Sequence, residues 1–250
     1  MHTPITRLKS RSAGFTLTEL AIVMIIMALL IGGMMMPLSA QLDIRNNTET
    51  TRELEEIREA LLGFVVTNGY LPCPAKSTSD GNEDRDDATG GSWKCNGGKR
   101  FGPIPWVTLG LKPSDSWGHL FLYSVTPVFS HGKPADRFKM SSTPDITIKT
   151  RNAAGNIVNL SNTDGIPAGV VSMGKNGYWS WTLDLATQNA DSAGANNDED
   201  TNASSTADGK TFVSRTPTGP DSPTGEFDDL VTWISPNVLF NRMVAAGKLP

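Results

Sequence analysis

A nearly charge-free segment close to the N-terminus constrains the fold of this chain more than any other feature. From residue 15 to residue 38 the only charged side chain is that of Glu19. As an α-helix this segment would be about 36 Å long, which is enough to cross the apolar core of a bilayer with some tilt. We therefore predict one long N-terminal helix whose first half, at about 15–38, is transmembrane.

The residues around this segment allow more than one interpretation. Three cations and no acid precede it, and such a flank normally stays in the cytoplasm: Arg7, Lys9 and Arg11. An ordinary signal anchor fits that pattern. A secretory signal peptide cleaved after Ala40 fits it too, because small residues surround that position. Neither interpretation accounts for the carboxylate of Glu19.

A third interpretation does account for it. The segment GFTLTEL, residues 14–20, resembles the processing site of the type IV pilin and type II secretion pseudopilin superfamily. In that family a short basic leader ends in glycine, and the fifth mature residue is glutamate. The resemblance implies that residues 1–14 are a leader, that prepilin peptidase cuts after Gly14, and that Phe15 becomes the methylated N-terminus. Glu19 is then the fifth mature residue.

The physical chemistry of a freed N-terminus suggests a role for Glu19. An amine at a helix N-terminus is costly in an apolar medium unless an opposite charge pairs with it. An ionisable side chain in a membrane segment normally has such a partner. We therefore expect Glu19 to pair with the amine of a neighbouring subunit and to set the stagger between helices during assembly.

Beyond the apolar segment the helix is predicted to continue through residues 39–66 and to end at Asn68-Gly69. Apolar residues recur there at helical spacing and form one stripe: Leu54, Ile57, Leu61 and Val65. Charged residues occupy the other faces. The stripe should pack under a globular domain that covers residues 70–250.

The remainder of the chain is predicted to be rich in β-structure. Alternating apolar residues predict strands at 145–150, 156–160, 169–173, 178–183, 211–215 and 228–235. Ser235 and Pro236 then suit the N-cap and first position of a short C-terminal helix. The fold class is therefore α+β, with a long N-terminal helix packed on an antiparallel β-sheet domain.

Other blocks of the globular part also resemble pseudopilin domains. Asp115-Ser116-Trp117-Gly118 and the strand after it resemble a segment in which the tryptophan packs in the core and the glycine makes a turn. The segments 70–125 and 228–250 resemble the family more loosely than the N-terminus does. Residues 126–227 are not covered by the resemblance.

Two cysteines, Cys73 and Cys95, follow the apolar segment and should reach an oxidising compartment. We predict a disulfide between them, with two free buried thiols as the alternative. The stretch 186–210 has no aromatic and no large aliphatic residue, so we predict a surface excursion. No cofactor is expected, except that four acids there could bind calcium, as some major pseudopilins do near their C-terminus: Asp198, Glu199, Asp200 and Asp208.

Composition and motifs also restrict the function. The body of the chain is acidic, which argues against a nucleic-acid partner. No catalytic motif is recognised, so we do not expect an enzyme. Trp179 and Trp181 alternate on a predicted strand and are candidates for surface binding. The alternative function is therefore a filament-tip adhesin or substrate-recognition subunit.

The resemblance thus implies a pilin-like structural subunit, of a minor kind because of its size. Its partners would be prepilin peptidase, other pilin or pseudopilin subunits and inner-membrane lipid. The protein would span the bacterial inner membrane once, with a cytoplasmic leader and a periplasmic domain. A secretion pseudopilus, a type IV pilus and a DNA-uptake device all remain open as the assembly it joins.

Overall fold

The computed structural model of the chain describes residues 16–86, 93–161, 165–183, 188–191, 194, 196–203 and 208–249, without the side chains of 33–38 and 203. It divides into two compact units, Met1–Arg45 and Asn46–Pro250. The predicted leader, residues 1–14, lies outside the described residues.

The first helix, α1, runs from Leu17 to Asn68. It ends where the sequence predicts, because Gly69 has a φ of +83° and its N–H donates to the carbonyl of Val65 at 2.7 Å. Across the described residues, no helix has both the length and the apolar composition needed to cross a membrane. The transmembrane half predicted at about 15–38 is not confirmed and stays a prediction.

The elements after α1 are short. The strands are β1 (Phe101–Pro103), β2 (Leu122–Val125), β3 (Thr147–Arg151), β4 (Ile157–Asn159), β5 (Ala168–Ser172), β6 (Thr211–Val213) and β7 (Leu230–Ile234). The helices are α2 (Trp106–Leu109), α3 (Asn197–Ala203) and α4 (Pro236–Ala245). Long helix, sheets and short C-terminal helix confirm the predicted α+β class.

The larger sheet is antiparallel throughout and has the strand order β1-β2-β5-β7. One of its faces packs against the predicted apolar stripe of α1, and both sides of this contact belong to one buried cluster. The stripe residues in that cluster are at most 4% exposed: Leu54, Ile57, Leu61 and Val65. The sheet residues in it include Tyr123, Val170 and Ile234. The prediction that the stripe packs under the globular domain is confirmed.

The second sheet has the order β4-β3-β6 and covers the opposite face of the first. Leu122 and Val171 of the first sheet share a buried cluster with Ile148 and Phe212 of the second. The pair β3–β6 is parallel, which differs from the predicted all-antiparallel arrangement. A parallel pair needs a long crossover, and here the crossover contains β4, β5 and α3.

Two segments between the strands differ from expectation. Residues 178–183 form a turn and loop instead of a strand, and Trp179 in it has a φ of +57°. The stretch 186–210, expected to be a surface excursion, contains α3. In and beside this helix Asn196, Asp198 and Glu199 are at most 2% exposed. Hydrogen bonds and ion pairs, which hydrophobicity does not reveal, account for that burial.

Candidate functional site

The first turn of α1 is closed by hydrogen bonds between Thr16 and Glu19. The N–H and the hydroxyl of Thr16 donate to Oε2 of Glu19 at 2.8 and 2.9 Å. The N–H of Glu19 donates back to Oγ1 of Thr16 at 3.3 Å. This is a capping box, which satisfies backbone donors that a helix N-terminus otherwise leaves unpaired. The sequence signature of this capping box is Thr-Leu-Thr-Glu at 16–19. The hypothesis that Glu19 pairs with an amine does not include this capping role.

The predicted cleavage site lies just ahead of this capping box. Gly14 and Phe15 are outside the described residues, so the cut between them stays a prediction. A chain that began at Phe15 would place its amine one residue before the helix cap. The capping bonds therefore hold the carboxylate of Glu19 at the end of the helix where that amine would appear.

The apolar side chains in the first turns of α1 are exposed on all sides of the helix. Their exposed fractions range from 48% at Val23 to 86% at Leu17. The exposed set consists of Leu17, Leu20, Ile22, Val23, Met24, Ile25, Ile26, Met27, Leu29, Leu30 and Ile31. A helix that is apolar all round requires an apolar environment or other helices to cover it.

The predicted disulfide is present. Cys73 and Cys95 are joined with their Cα atoms 5.4 Å apart, and both residues are buried. Arg85, within the enclosed loop, donates to the carbonyl of Ser130 at 2.6 Å and forms an ion pair with Glu83 at 3.0 Å. The described part of this loop is therefore pinned to the domain by covalent and polar contacts.

The segment that resembles a pseudopilin turn has a structural role. Asp115 is buried, and its Oδ1 accepts hydrogen bonds from the N–H groups of Trp117 and His119, both at 2.9 Å. Burial raises the pKa of Asp115, while a hydrogen bond donated by Ser172 acts in the opposite direction. Gly118 has a φ of +87° and makes the turn, as expected. Trp117 is only partly buried and belongs to neither core cluster, so its expected core packing is wrong.

Trp179 and Trp181 lie in the 178–183 loop and not on a strand face as predicted. Both rings are partly buried and pack against the second core cluster. The indole N–H of Trp179 donates to Oδ1 of Asp200 at 2.7 Å. This contact ties the 178–183 loop to α3. Surface binding by the two tryptophans stays a prediction.

The four acids predicted as calcium ligands do not act as a set. Asp198 is 2% exposed and accepts hydrogen bonds from Arg151 and Arg215 at 2.7 and 2.6 Å. Asp200 receives the indole N–H described above. Asp208 is exposed and accepts the N–H of Lys210 at 2.8 Å. Asp200 also lies beside the carboxylate of Asp191. Glu199 faces two other carboxylates.

Those other carboxylates belong to Asp228 and Asp229, immediately before β7. One oxygen from each of Glu199, Asp228 and Asp229 lies within 4.8 Å of the others. Oε1 of Glu199 accepts the N–H of Asp228 at 2.9 Å and the side-chain amide of Asn176 at 2.9 Å. Oδ2 of Asp229 accepts the side-chain amide of Asn202 at 2.8 Å. We call Glu199, Asp228 and Asp229 the carboxylate cluster.

The carboxylate cluster is energetically unfavourable when all three of its side chains are negatively charged. Burial, helped by the neighbouring carboxylates of Glu199 and Glu226, raises the pKa of Asp228 to about 7. Burial likewise raises the pKa of Glu199 and, by a larger amount, that of Asp229. Oδ1 of Asp228 is buried without a partner among the described residues. Protons or a cation must therefore offset the charge.

The donor set of the cluster fits a hard cation, because it consists of carboxylate oxygens with amide groups beside them. Calcium binding stays a prediction, but its ligands would be Glu199, Asp228 and Asp229. Sequence reasoning missed the last two. The sequence signal for them is the adjacent acid pair at 228–229, which is distant from 198–200 along the chain and by itself indicates only the start of a strand.

Comparison with known proteins bears on the N-terminal site alone. A family model described as the prokaryotic N-terminal methylation motif matches residues 9–35. No curated protein and no solved structure matches the chain. The matched segment includes the predicted cleavage site, the Thr16–Glu19 capping box and most of the exposed apolar residues of α1.

Proposed function

We infer that this chain, a type IV pilin- or pseudopilin-like protein by its N-terminal methylation motif, is a structural subunit of a filament. The motif implies processing by prepilin peptidase and assembly with other pilin subunits. The observation that carries this conclusion is the match over residues 9–35. We propose further that the subunit is a minor component of a type II secretion pseudopilus or type IV pilus-like filament.

The geometry of α1 supports this function. Its first turns expose apolar side chains such as Leu17, Leu29 and Leu30. The motif implies a membrane-anchored N-terminus. We propose that inner-membrane lipid covers these side chains before assembly and that helices of neighbouring subunits cover them afterwards. The globular domain would then lie in the periplasm, where the disulfide is stable.

We propose a structural role for the arrangement around Asp115. Ser172 donates its hydroxyl hydrogen to Asp115 at 2.5 Å, so its partner is a carboxylate and not the imidazole of His119. Nδ1 of His119 lies 2.9 Å from the carbonyl oxygen of Gly174. These described contacts hold the turn that contains Gly118.

Mass spectrometry of the mature N-terminus tests the proposed processing. We expect a chain that begins at N-methylated Phe15 when the protein is produced together with prepilin peptidase, and an uncut chain when the peptidase is absent. A mature chain that begins at Gln41 would instead show signal-peptide cleavage after Ala40. That cut would fall inside α1, which is helical from Leu17 to Asn68.

A further inference from the structure

A cavity of about 390 Å³ lies at the junction of β7 and α4. Its wall is formed by the loop at 140–144, by Leu160 and Ser161 after β4, by Gly165 and Ile166, and by residues from Trp233 to Phe240. Packing defects in protein interiors seldom exceed the size of a water molecule, whereas small-molecule sites begin at about 300 Å³. The cavity is therefore large enough for a ligand.

The described residues of the cavity wall carry no charge. Every described residue that lines it has a neutral side chain. A charged ligand would lose hydration there without gaining a partner of opposite charge, which is unfavourable. The described part of the lining therefore favours a neutral ligand over a charged one.

The polar part of the wall is rich in hydroxyl groups that keep hydrogen-bonding capacity. Ser235 occupies the N-cap position of α4, but its side chain makes no capping bond. Oγ of Ser142 accepts the N–H of Lys139 at 2.9 Å, and Oγ of Ser161 accepts the N–H of Ile148 at 3.1 Å. Each of these two hydroxyls can still donate its own hydrogen. Asn237 adds an exposed amide at the same rim.

The apolar part of the wall contains the aromatic residues Trp233 and Phe240. Both are partly buried, and both lie beside well-anchored core residues, since Ile234 is 2% exposed and Leu239 is fully buried. The wall thus combines aromatic surface with a rim of hydroxyl and amide groups. A sugar ring needs this combination, because its C–H faces are apolar and its edge carries hydroxyls.

We propose that this cavity is a binding site for a neutral saccharide, held against Trp233 and hydrogen-bonded by Ser235 and Asn237. The site is separate from the assembly function of α1, so either proposal can fail alone. It also places ligand binding away from Trp179 and Trp181, the pair that the sequence suggested as a binding surface.

Binding of a matched set of sugars to the full chain tests the proposal. The protein is purified in a detergent that has no sugar headgroup, and saturation-transfer NMR and calorimetry measure binding. N-acetylglucosamine is the neutral probe. N-acetylmuramic acid adds a lactyl carboxylate to the same sugar, and glucosamine carries an ammonium group in place of the acetamide. We expect N-acetylglucosamine to bind with a millimolar or lower Kd, and both charged sugars to bind at least about tenfold more weakly.

Two variants assign the binding to the cavity. Thr143→Trp places a large ring in the exposed wall and should abolish binding. Asn237→Ala removes the amide and should weaken binding by about tenfold. Trp181→Phe, outside the cavity, is the control and should bind normally. The proposal is overturned by absence of millimolar binding, by equal binding of the charged sugars, or by unchanged binding in both cavity variants with native near-ultraviolet circular dichroism.

Discussion

Glu19 and Thr16 cap α1 reciprocally, with Oε2 of Glu19 accepting two hydrogen bonds from Thr16 and the N–H of Glu19 donating back. The capping bonds need an acceptor oxygen at position 19, whereas pairing with a freed amine needs a negative charge. Two different properties of one side chain are therefore involved, and substitution can separate them.

The first prediction concerns Glu19→Gln. Glutamine serves in a capping box as glutamate does, so the helix start and peptidase processing should be preserved. The charge that would pair with the amine of Phe15 is lost, so filament assembly should fall at least about tenfold. Electron microscopy of filaments and mass spectrometry of the mature chain measure the two effects.

The matched control disrupts the capping box and leaves the charge in place. Thr16→Ala removes the N-cap hydroxyl but keeps the charge of Glu19, at a cost of about 1 kcal/mol of helix stability. This variant should still assemble. If Thr16→Ala blocks assembly while Glu19→Gln assembles normally, the contribution of Glu19 is capping and the amine-pairing hypothesis is wrong.

The second prediction concerns the disulfide. Replacing both Cys73 and Cys95 by serine should lower the free energy of unfolding by about 3 kcal/mol, since a covalent link that constrains the unfolded chain is lost. Urea denaturation measures this change. Dithiothreitol should destabilise the native protein by a similar amount and leave the double variant unaffected. Equal stability of the two proteins would show that Arg85 and its polar contacts hold the loop without the bond.

The third prediction is that the globular domain loses stability as pH rises from 3.8, the ordinary pKa of an aspartate, to about 7. The folded state raises the pKa of Asp228 from 3.8 to about 7, so the folded state binds that proton more tightly than the unfolded state does. The stabilising effect of the proton is therefore lost on deprotonation, with a loss on the order of a few kcal/mol. Glu199, Glu226 and Asp229 disfavour the charged form, and Arg215 near Asp229 partly offsets them.

Thermal unfolding between about pH 5 and pH 8 measures this dependence. Asp228→Asn keeps the shape of the side chain and removes the titration, so it should flatten the profile over this range. Asp208→Asn is the control, because Asp208 is exposed and outside the carboxylate cluster. A profile that Asp228→Asn leaves unchanged would contradict the assignment to this residue.

The fourth prediction is that calcium reverses the loss at high pH. A divalent cation between Glu199, Asp228 and Asp229 would offset their repulsion, so millimolar Ca²⁺ should raise Tm at about pH 8 and have less effect at about pH 5. Calorimetric titration with Ca²⁺ and EDTA measures binding directly. Asp228→Asn should weaken it, and Asp208→Asn should not. If Ca²⁺ changes neither Tm nor the heat of titration, the calcium prediction is wrong and protons alone stabilise the cluster.

Periodicity and glycine placement made much of the fold predictable. The stripe that includes Leu54 and Val65 identified the buried face of α1, and Asn68-Gly69 identified its end. These features are local or repeat at helical spacing. The pairing of Cys73 with Cys95 was predictable because the chain has only two cysteines.

Features that depend on distant polar partners could not be predicted in the same way. Asp198 is buried because Arg151 and Arg215 reach it from other elements, and no local pattern indicates that contact. The carboxylate cluster likewise joins residues that are distant along the chain, 199 and 228–229, and no local pattern indicates their contact. The strand predicted at 178–183 had the correct alternation, but Trp179 takes a positive φ and its ring is tied to α3.

The parallel pairing of β3 with β6 also has a consequence for folding. Thr147 pairs with Thr211, so this contact closes a long loop that contains β4, β5 and α3. Closing long loops costs entropy before the contacts form, and such pairings fold slowly. The second sheet should therefore form late, and until then one face of β2 and β5 remains uncovered. A newly made chain would expose that face to chaperones and proteases until the second sheet has formed.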